Sequence, residues 1–291
     1  MTTPEAVEET RQLYTQHPRT SLRIAAQILG MGRTSVSTIL HDELKLFPYK
    51  VQIQQPLTPA NIEKRLQFVN EILVAIDDKT IDPNLIYFTD ESYFHLIGYV
   101  NKQNYRFWGS ENPHLSVAQA LHPQKVSVWC AFTAHKIYGP YFLTKYVDEF
   151  VYRDEVLEKF FNNIARDRKI ENFWFQQDGA IAHRTDDNMF YIASEFGHKI
   201  IGLDAPKKLG GGIDWPPCSP DLNTCDYFLW GYLKDKVYVT LPETIDELKD
   251  RITREIKAIP RDVRKRVCEG FVRRLRAVII TEGKHIENVL H

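Results

Sequence analysis

The stretch Leu85-Ile86-Tyr87-Phe88-Thr89-Asp90-Glu91 decides the fold, because an apolar run typical of a buried strand ends there in two acidic residues. A second run, Phe173-Trp174-Phe175-Gln176-Gln177-Asp178, repeats this pattern later in the chain. A third acid, Asp226, follows a proline-rich turn and opens an aromatic, helix-like segment. Strand ends and a helix start can meet at one edge of a sheet, so we expect these three aspartates to lie together.

The three aspartates predict a metal-dependent site for phosphodiester chemistry. A lone aspartate at a strand end is usually a turn or cap residue, and it is the joint context of Asp90, Asp178 and Asp226 that favours a shared role. Carboxylates that are forced together need a compensating cation, since otherwise they become protonated. Mg²⁺ prefers oxygen ligands, and a pair of such ions supports in-line displacement at phosphorus.

The order of predicted elements indicates a mixed α/β domain that follows a small helical one. Strand-like runs alternate with helix-like runs after residue 58, and a helical tail closes the chain. We expect a helix-turn-helix domain over 1–45, a proline-rich linker over 46–59 and an α/β domain over 60–291. The predicted strands are 85–89, 105–108, 125–132, 140–143, 173–177 and 199–203. One helix is predicted to begin at Thr58. Further helices are predicted over 152–166, 185–196, 227–237, 244–258 and 261–279. A flexible loop is expected at 207–212.

The segment Ile24–Leu40 fits a helix-turn-helix, although a plain helical hairpin gives the same pattern. Gly30 can adopt the left-handed conformation that ends a helix. The second helix would then expose polar residues near its start, where a recognition helix meets DNA. These candidate DNA-binding residues are Arg33, Thr34, Ser35, Ser37 and Thr38.

Composition excludes several classes of protein. The 291 residues are 43% hydrophobic, which predicts a packed globular protein, and no apolar run approaches the length that spans a bilayer. The four cysteines lack metal-ligand spacing and are expected to be reduced thiols. The net charge of −1 argues mildly against a nucleic-acid partner. A basic run over 261–276 offsets that argument locally, although such a run is often only a solvated helix face.

Three neighbours of the aspartates receive separate interpretations. Glu91 follows Asp90 in a strand, so it should point to the opposite sheet face and be structural. Asp221 is expected to stabilise the turn before Asp226. His183 lies five residues after Asp178 and could serve either the reaction or the structure.

The chain also resembles a known family through an ordered series of motifs that covers essentially its whole length. The motifs are Asp90-Glu-Ser-Tyr-Phe-His95, Gly98-Tyr-Val-Asn-Lys-Gln-Asn104, Phe107-Trp-Gly-Ser-Glu-Asn-Pro113, His122-Pro-Gln-Lys-Val-Ser-Val-Trp129, Trp174-Phe-Gln-Gln-Asp-Gly-Ala180, Trp215-Pro-Pro217 and Asp226-Tyr-Phe-Leu-Trp-Gly231. They are similar to those of transposases of the Tc1/mariner superfamily, most of all the mariner-like elements of arthropods.

This resemblance implies a ribonuclease-H-like catalytic domain, preceded by a helix-turn-helix domain and followed by C-terminal helices. It implies binding to terminal inverted repeats of double-stranded DNA, cut-and-paste insertion into target DNA, Mg²⁺ with Mn²⁺ as a substitute, and residence in the nucleus. Asp90, Asp178 and Asp226 fall on the family's three metal-binding acids, of which the last is Asp in mariner-type members. Joining two DNA ends calls for two protomers, so a homodimer is expected. No membrane partner is expected.

The chain departs from the family pattern in several places. The interval between Asp178 and Asp226 is longer than in typical mariner enzymes, with the glycine run 210–212 as the place for the excess. Gly179 stands where many relatives carry Asn, and Thr224 stands where Pro is common. One helix-turn-helix unit is visible where relatives usually carry two, which indicates N-terminal truncation or a reduced DNA-binding module.

Two other functions remain open from the sequence. A catalytically idle or truncated transposase descendant would bind DNA without cutting it, and loss of an acid would favour that alternative. An RNA-cleaving or structure-selective nuclease on the same fold would not need a sequence-reading N-terminal module.

Overall fold

The computed structural model describes residues 3–18, 20–48, 56–98, 124–143, 146–166 and 172–286. The chain separates into two compact units, Met1–Gln54 and Gln55–His291. The strand expected at 105–108 lies outside the described residues. None of the helices in the described ranges is long and apolar enough to cross a membrane.

The described residues of the first unit form three short helices. They are α1 (Pro4–Gln16), α2 (Leu22–Ile28) and α3 (Arg33–Thr38), which continues into a π-helical turn over Ile39–Glu43. Gly30 has a positive φ of 62°, so the chain turns between α2 and α3 as predicted. Small and branched side chains form the core of this unit, namely Ala25, Ala26, Val36 and Leu40. The two helices therefore pack closely enough to form the expected helix-turn-helix.

The second unit is built on a six-stranded sheet in the order β3-β2-β1-β4-β5-β6. The strands are β1 (Ile86–His95), β2 (Lys125–Phe132), β3 (Ile137–Leu143), β4 (Trp174–Gln176), β5 (Ile200–Gly202) and β6 (Ile213–Asp214). β1, β2 and β3 pair antiparallel, while β4 runs parallel to β1 and is followed by the parallel strands β5 and β6. This is the mixed α/β order that the sequence predicts.

Helices cover both faces of the sheet. They are α4 (Pro59–Asp77), α5 (Glu149–Val151), α6 (Glu158–Arg166), α7 (Asp186–Phe196), α8 (Ala205–Leu209), α9 (Trp230–Val237), α10 (Ile245–Ala258) and α11 (Arg261–Ile280). One core joins Phe88 of β1 to α4, α9, α10 and α11. The other joins Tyr87 of β1 to α6 and α7. Alternate residues of β1 therefore enter opposite cores, as the pleat of a strand requires.

Two boundaries test local sequence signals. α4 begins as predicted, because Thr58 accepts a hydrogen bond from Asn61 N and Pro59 occupies the first helical position. The loop expected at 207–212 is correct for 210–212 and wrong for 207–209. Its first residues belong to α8, which Gly210 ends with a φ of 68°, and the chain then enters β6. A helix of five residues is too short to show a periodic apolar pattern.

Candidate active site

The sheet brings Asp90 and Asp178 to the same level. In the parallel register of β1 and β4, Phe88 pairs with Gln176, so each aspartate lies two residues beyond that pair. Thr89 fastens the two strands at this point by donating from Oγ1 to Gln176 O over 2.7 Å. This register agrees with the prediction that the ends of two strands bring Asp90 and Asp178 together.

Asp226 reaches the same edge from a turn that is tied to β1. It lies in a π-helical turn, Cys225–Leu229, which leads directly into α9. Asn223 donates from Nδ2 to Thr89 O over 3.1 Å and accepts from Cys225 N at 3.1 Å. These bonds hold the start of the turn against the residue that precedes Asp90. π-helical turns are uncommon and occur frequently at functional sites.

A buried ion pair anchors the preceding turn. Arg65 of α4 donates from Nη1 and Nη2 to the two carboxylate oxygens of Asp221, at 2.7 and 2.6 Å. Both side chains are fully buried, and Arg65 also donates to Ser219 Oγ and Gly283 O. Asp221 therefore stabilises the turn, as the sequence predicts, through a bidentate pair that joins α4 to the segment before Asp226.

The carboxylates repel one another. Burial raises the pKa of Asp90 well above its ordinary value, and the neighbouring charges of Asp226, Glu91 and Asp178 raise it further. Its Oδ2 accepts a hydrogen bond from Trp230 Nε1 at 2.7 Å, which opposes the rise in pKa. Desolvation raises the pKa of Asp226 to about 6, while a hydrogen bond with Asp90 opposes this rise. The edge thus concentrates negative charge that a cation would neutralise.

His183 supplies a positive charge between two of the acids. Its Nδ1 lies 2.6 Å from Asp178 Oδ1, and its Nε2 lies 3.0 Å from Glu91 Oε1. Burial alone would lower the pKa of His183, but the Glu91 and Asp178 carboxylates raise it to about 10. Desolvation opposes ionisation of Asp178, yet its bonds to His183 and to Ala180 N lower its pKa below the ordinary value. His183 therefore holds Asp178 ionised.

The expectation for Glu91 needs correction. Its neighbour Asp90 does lie on the opposite face of β1, but the Glu91 carboxylate bonds to His183 and contributes to the raised pKa of Asp90. The alternation rule fixes the direction of a side chain at the backbone, and a long glutamate at the sheet edge still reaches the site. The one sequence signal for this link is the spacing of His183 after Asp178.

The described residues contain no ready-made metal cage. No group of three or more His, Cys, Asp or Glu side chains in those ranges is arranged to hold an ion. All four cysteines are described and free, as predicted, and Cys130 and Cys225 are buried near Asp90. Carboxylate oxygens, the donors that hard cations prefer, are present at this edge on Asp90, Asp178, Asp226 and Glu91.

The candidate DNA-binding residues lie on α3 of the first unit. Arg33, Thr34, Ser35 and Thr38 are exposed, while Ser37 is half-buried and its carbonyl lies 2.8 Å from His41 Nδ1. Val36 between them is fully buried in the core. The start of α3 therefore presents a polar surface on a packed helix pair.

Comparison with known proteins gives consistent results. No protein-family model matches the chain. The Tc3 transposase of Caenorhabditis elegans is 29% identical over 239 residues, which cover 81% of this chain and 68% of the relative. The Tcb2 transposase of Caenorhabditis briggsae is 27% identical over 203 residues, with 67% of each chain covered. The Tc1 transposase of Caenorhabditis elegans is 28% identical over 202 residues, again with 67% of each chain covered.

Solved structures share the fold. The Mos1 transposase paired-end complex with the left transposon end aligns with a TM-score of 0.69 at 16% identity, over 97% of this chain and 80% of that one. The catalytic domain of Mos1 mariner transposase aligns with a TM-score of 0.57 over 81% of this chain and all of that domain. The expected ribonuclease-H-like fold with N-terminal and C-terminal helices is confirmed. The chain is thus similar in sequence to the Tc3, Tcb2 and Tc1 transposases, which supports the resemblance to the Tc1/mariner superfamily that its motifs indicate.

Proposed function

We propose that the protein is a cut-and-paste DNA transposase that binds terminal inverted repeats, cleaves the DNA strand at the transposon end and transfers it to target DNA. The observation that carries this proposal is the convergence of Asp90, Asp178 and Asp226 at one sheet edge. The Tc3, Tcb2 and Tc1 transposases, which are 27–29% identical to it over 202–239 aligned residues, support the same function.

We assign Asp90, Asp178 and Asp226 as the ligands of divalent cations, with Mg²⁺ as the natural ion and Mn²⁺ as a substitute. The fit rests on chemistry, since the donors are all carboxylate oxygens. Burial and neighbouring carboxylates raise the pKa values of Asp90 and Asp226, and a bound cation would oppose that rise. Mos1 paired-end complexes are known with Mn and with Mg. When bound, such ions activate an attacking hydroxyl and stabilise a leaving oxygen.

The protein side chains prepare this chemistry in distinct ways. The charges of both Asp226 and Asp178 act on Asp90, and Trp230 donates a hydrogen bond to its carboxylate, so we assign Asp90 as the shared ligand. His183 keeps Asp178 ionised and directs one of its oxygens, while Glu91 holds the other nitrogen of the ring. Asn223 sets the position of Asp226 relative to β1. These bonds fix the ligands before substrate arrives.

For DNA recognition we assign the exposed start of α3, with Arg33, Thr34, Ser35, Ser37 and Thr38 meeting the terminal repeat. We propose a helix-turn-helix domain over 1–45, a linker over 46–59 and a catalytic domain over 60–291, and the division into compact units at Gln54 and Gln55 falls within that linker. Two DNA ends must be cut and joined together, so the active species is proposed to be a homodimer. We propose that the protein acts in the nucleus and originates from an arthropod mariner-type element.

Strand cleavage of a labelled duplex that carries the element's terminal repeat tests the proposal. Each of Asp90→Asn, Asp178→Asn and Asp226→Asn should abolish cleavage in Mg²⁺ or Mn²⁺ and preserve binding. Asp246→Asn is the matched control, because the Asp246 side chain is 92% exposed on α10. Cleavage by any of the three variants at the wild-type rate would refute the site. Binding without cleavage by the wild-type chain would instead identify a DNA-binding descendant.

A further inference from the structure

A basic groove lies beside the candidate active site, between α11 and the turn that carries Asp226. We call it the α11 groove, with a volume of about 360 Å³. Tyr227 forms one wall, and Gly270 with three arginines forms the other, namely Arg266, Arg273 and Arg274. None of these residues belongs to the candidate metal site. The groove is therefore a feature that the proposed cleavage site leaves unexplained.

The lining of the α11 groove is positively charged. It includes three guanidinium groups and no carboxylate. Arg266 pairs with Asp262 at 3.1 Å, but both side chains are about 70% exposed, so this pair is weak in water. Arg273 is exposed and makes no ion pair with another residue in the described ranges. A chain with a net charge of −1 thus presents three arginine side chains together on this face of α11.

Helical spacing places these groups on one face of α11. Arg266, Gly270, Arg273 and Arg274 follow one another at intervals that return to the same side of a helix. Gly270 lacks a side chain where a Cβ would stand 3.6 Å from Arg273 Nη2, with no closer atom. Glycine in a helix interior costs about 1 kcal/mol relative to alanine, so its presence here is not explained by helix stability. The missing side chain leaves room between the arginines.

The opposite wall is fastened to the candidate active site. Tyr227 directly follows Asp226, and its hydroxyl donates to Val267 O of α11 over 2.9 Å. Arg274 lies over the Tyr227 ring, 3.9 Å from its centroid, and donates to Asp221 O over 3.0 Å. The guanidinium of Arg274 is thereby held in place next to the Asp226 turn. An anion in the groove would lie against Tyr227, the residue that follows Asp226 in the chain.

We propose that the α11 groove binds the phosphodiester backbone of duplex DNA next to the strand that is cut. This inference rests on the proposed function, since it places the contacted phosphates beside the Asp226 turn. Guanidinium groups bind phosphate oxygens through paired N–H donors, and arginines on a rigid helix fix the register of a duplex without reading its sequence. The groove thus holds DNA at the catalytic unit, separately from the recognition surface on α3.

Salt-dependent DNA binding by the full-length chain tests this inference. Fluorescence anisotropy with a duplex carrying the terminal repeat, in EDTA so that no cleavage occurs, gives the affinity at several NaCl concentrations. Arg266→Ala combined with Arg273→Ala should reduce the slope of log K against log[NaCl] by about 2, because each lost phosphate contact removes about 1. The matched control combines Arg261→Ala with Arg276→Ala, which removes the same charge from exposed positions of α11 outside the groove.

The outcomes separate the two claims. A reduced slope for the groove pair, with a much smaller change for the control pair, supports the α11 groove as a phosphate site. If the slope falls equally in both pairs of variants, or does not change in the groove pair, the inference is overturned. Neither result contradicts the proposal that the protein is a transposase. Failure of the wild-type chain to bind any duplex contradicts the proposed function itself.

A second variant tests the groove with every arginine in place. Gly270→Glu introduces a carboxylate among the guanidinium groups and should lower the salt slope by about 1. Gly270→Gln fills the same space without charge, and Gly270→Ala should leave binding unchanged because the added Cβ meets only ordinary contacts. Circular dichroism and melting temperature confirm that all three fold. Unchanged binding by Gly270→Glu would contradict the inference.

Discussion

The Asp90 carboxyl group concentrates the electrostatic conflict of this protein at the scale of a single residue. It receives a hydrogen bond from Trp230 and faces the carboxylates of Asp226, Glu91 and Asp178. The ionised Asp90 carboxylate destabilises the folded protein. We infer that the protein retains it because a cation is needed there. Function and stability therefore oppose each other at this position.

Asp90→Asn should stabilise the metal-free protein by about 1 kcal/mol at pH 8. The raised pKa of Asp90 means that its contribution to stability is present at low pH and lost as the pH rises through the folded-state pKa. The advantage of the variant should therefore shrink as the pH falls toward the ordinary aspartate range. Thermal unfolding in EDTA at pH 5 and pH 8 measures this difference.

Metal addition completes that test. Mg²⁺ or Mn²⁺ should raise the melting temperature of the wild-type chain, because a ligand that binds the folded state stabilises it. The same addition should leave the melting temperature of Asp90→Asn nearly unchanged. Two results would contradict the proposed repulsion at Asp90. One is that Asp90→Asn is less stable than the wild type in EDTA at pH 8, and the other is that metal raises its melting temperature as much as that of the wild type.

Glu91→Gln should weaken the use of metal without removing a ligand. The substitution takes away the charge that holds His183 Nε2 and therefore loosens the ring that orients Asp178. Loss of such an outer partner typically reduces metal affinity about 10–100-fold. The Mg²⁺ concentration for half-maximal cleavage should rise accordingly, with much of the rate recovered at saturating metal. An unchanged half-maximal concentration in a folded variant would show that Glu91 has no positioning role.

At the scale of elements, the turn between Trp215 and Asp226 is held by buried polar contacts. The Arg65–Asp221 pair joins α4 to this turn, and Asn223 joins it to β1. An apolar core could fill the same space but would not fix the direction of the turn. The polar contacts therefore connect the packing of α4 to the position of Asp226.

Asp221→Ala should cost about 3–5 kcal/mol of stability, because it leaves the Arg65 guanidinium buried without its partner. Arg65→Met combined with Asp221→Leu should cost less than the sum of the single changes, since no charge is then left unpaired. Urea unfolding of the four proteins measures both effects. Additive losses would show that the two side chains do not act as a pair.

The sequence predicts the elements that have clear local signals. Thr58 and Pro59 mark the start of α4, and the apolar runs before Asp90 and Asp178 mark β1 and β4. β6 is missed because two residues, Ile213 and Asp214, give no periodic pattern. The contact between Glu91 and His183 is missed because it joins distant segments, and alternation along a strand does not describe how far a side chain reaches.

At the scale of the whole molecule, charge is distributed very unevenly. The net charge of −1 suggests little affinity for DNA, yet acidic residues gather at the sheet edge and basic ones on α11. The helix-turn-helix unit adds an exposed arginine at the start of α3. Each surface has its own proposed task, namely recognition, phosphate contact and catalysis.

Arg33→Ala should weaken binding to the terminal repeat and reduce the salt slope by about 1, if Arg33 meets a phosphate. The first-order rate of cleavage within complexes that do form should stay close to that of the wild type. Anisotropy and single-turnover cleavage measure these two quantities separately. A large fall in the cleavage rate of bound complexes, with intact affinity, would contradict the assignment of Arg33 to recognition.

Metal-initiated cleavage of a preformed protein–DNA complex tests the catalytic role of the three aspartates most directly. The wild-type chain and Asp178→Asn are each bound to the terminal-repeat duplex in EDTA, and excess Mg²⁺ is then added. We expect the wild type to nick the DNA at the repeat boundary and the variant to leave it intact, with equal amounts of complex at the start. Equal nicking by both proteins would contradict a catalytic role for the three aspartates.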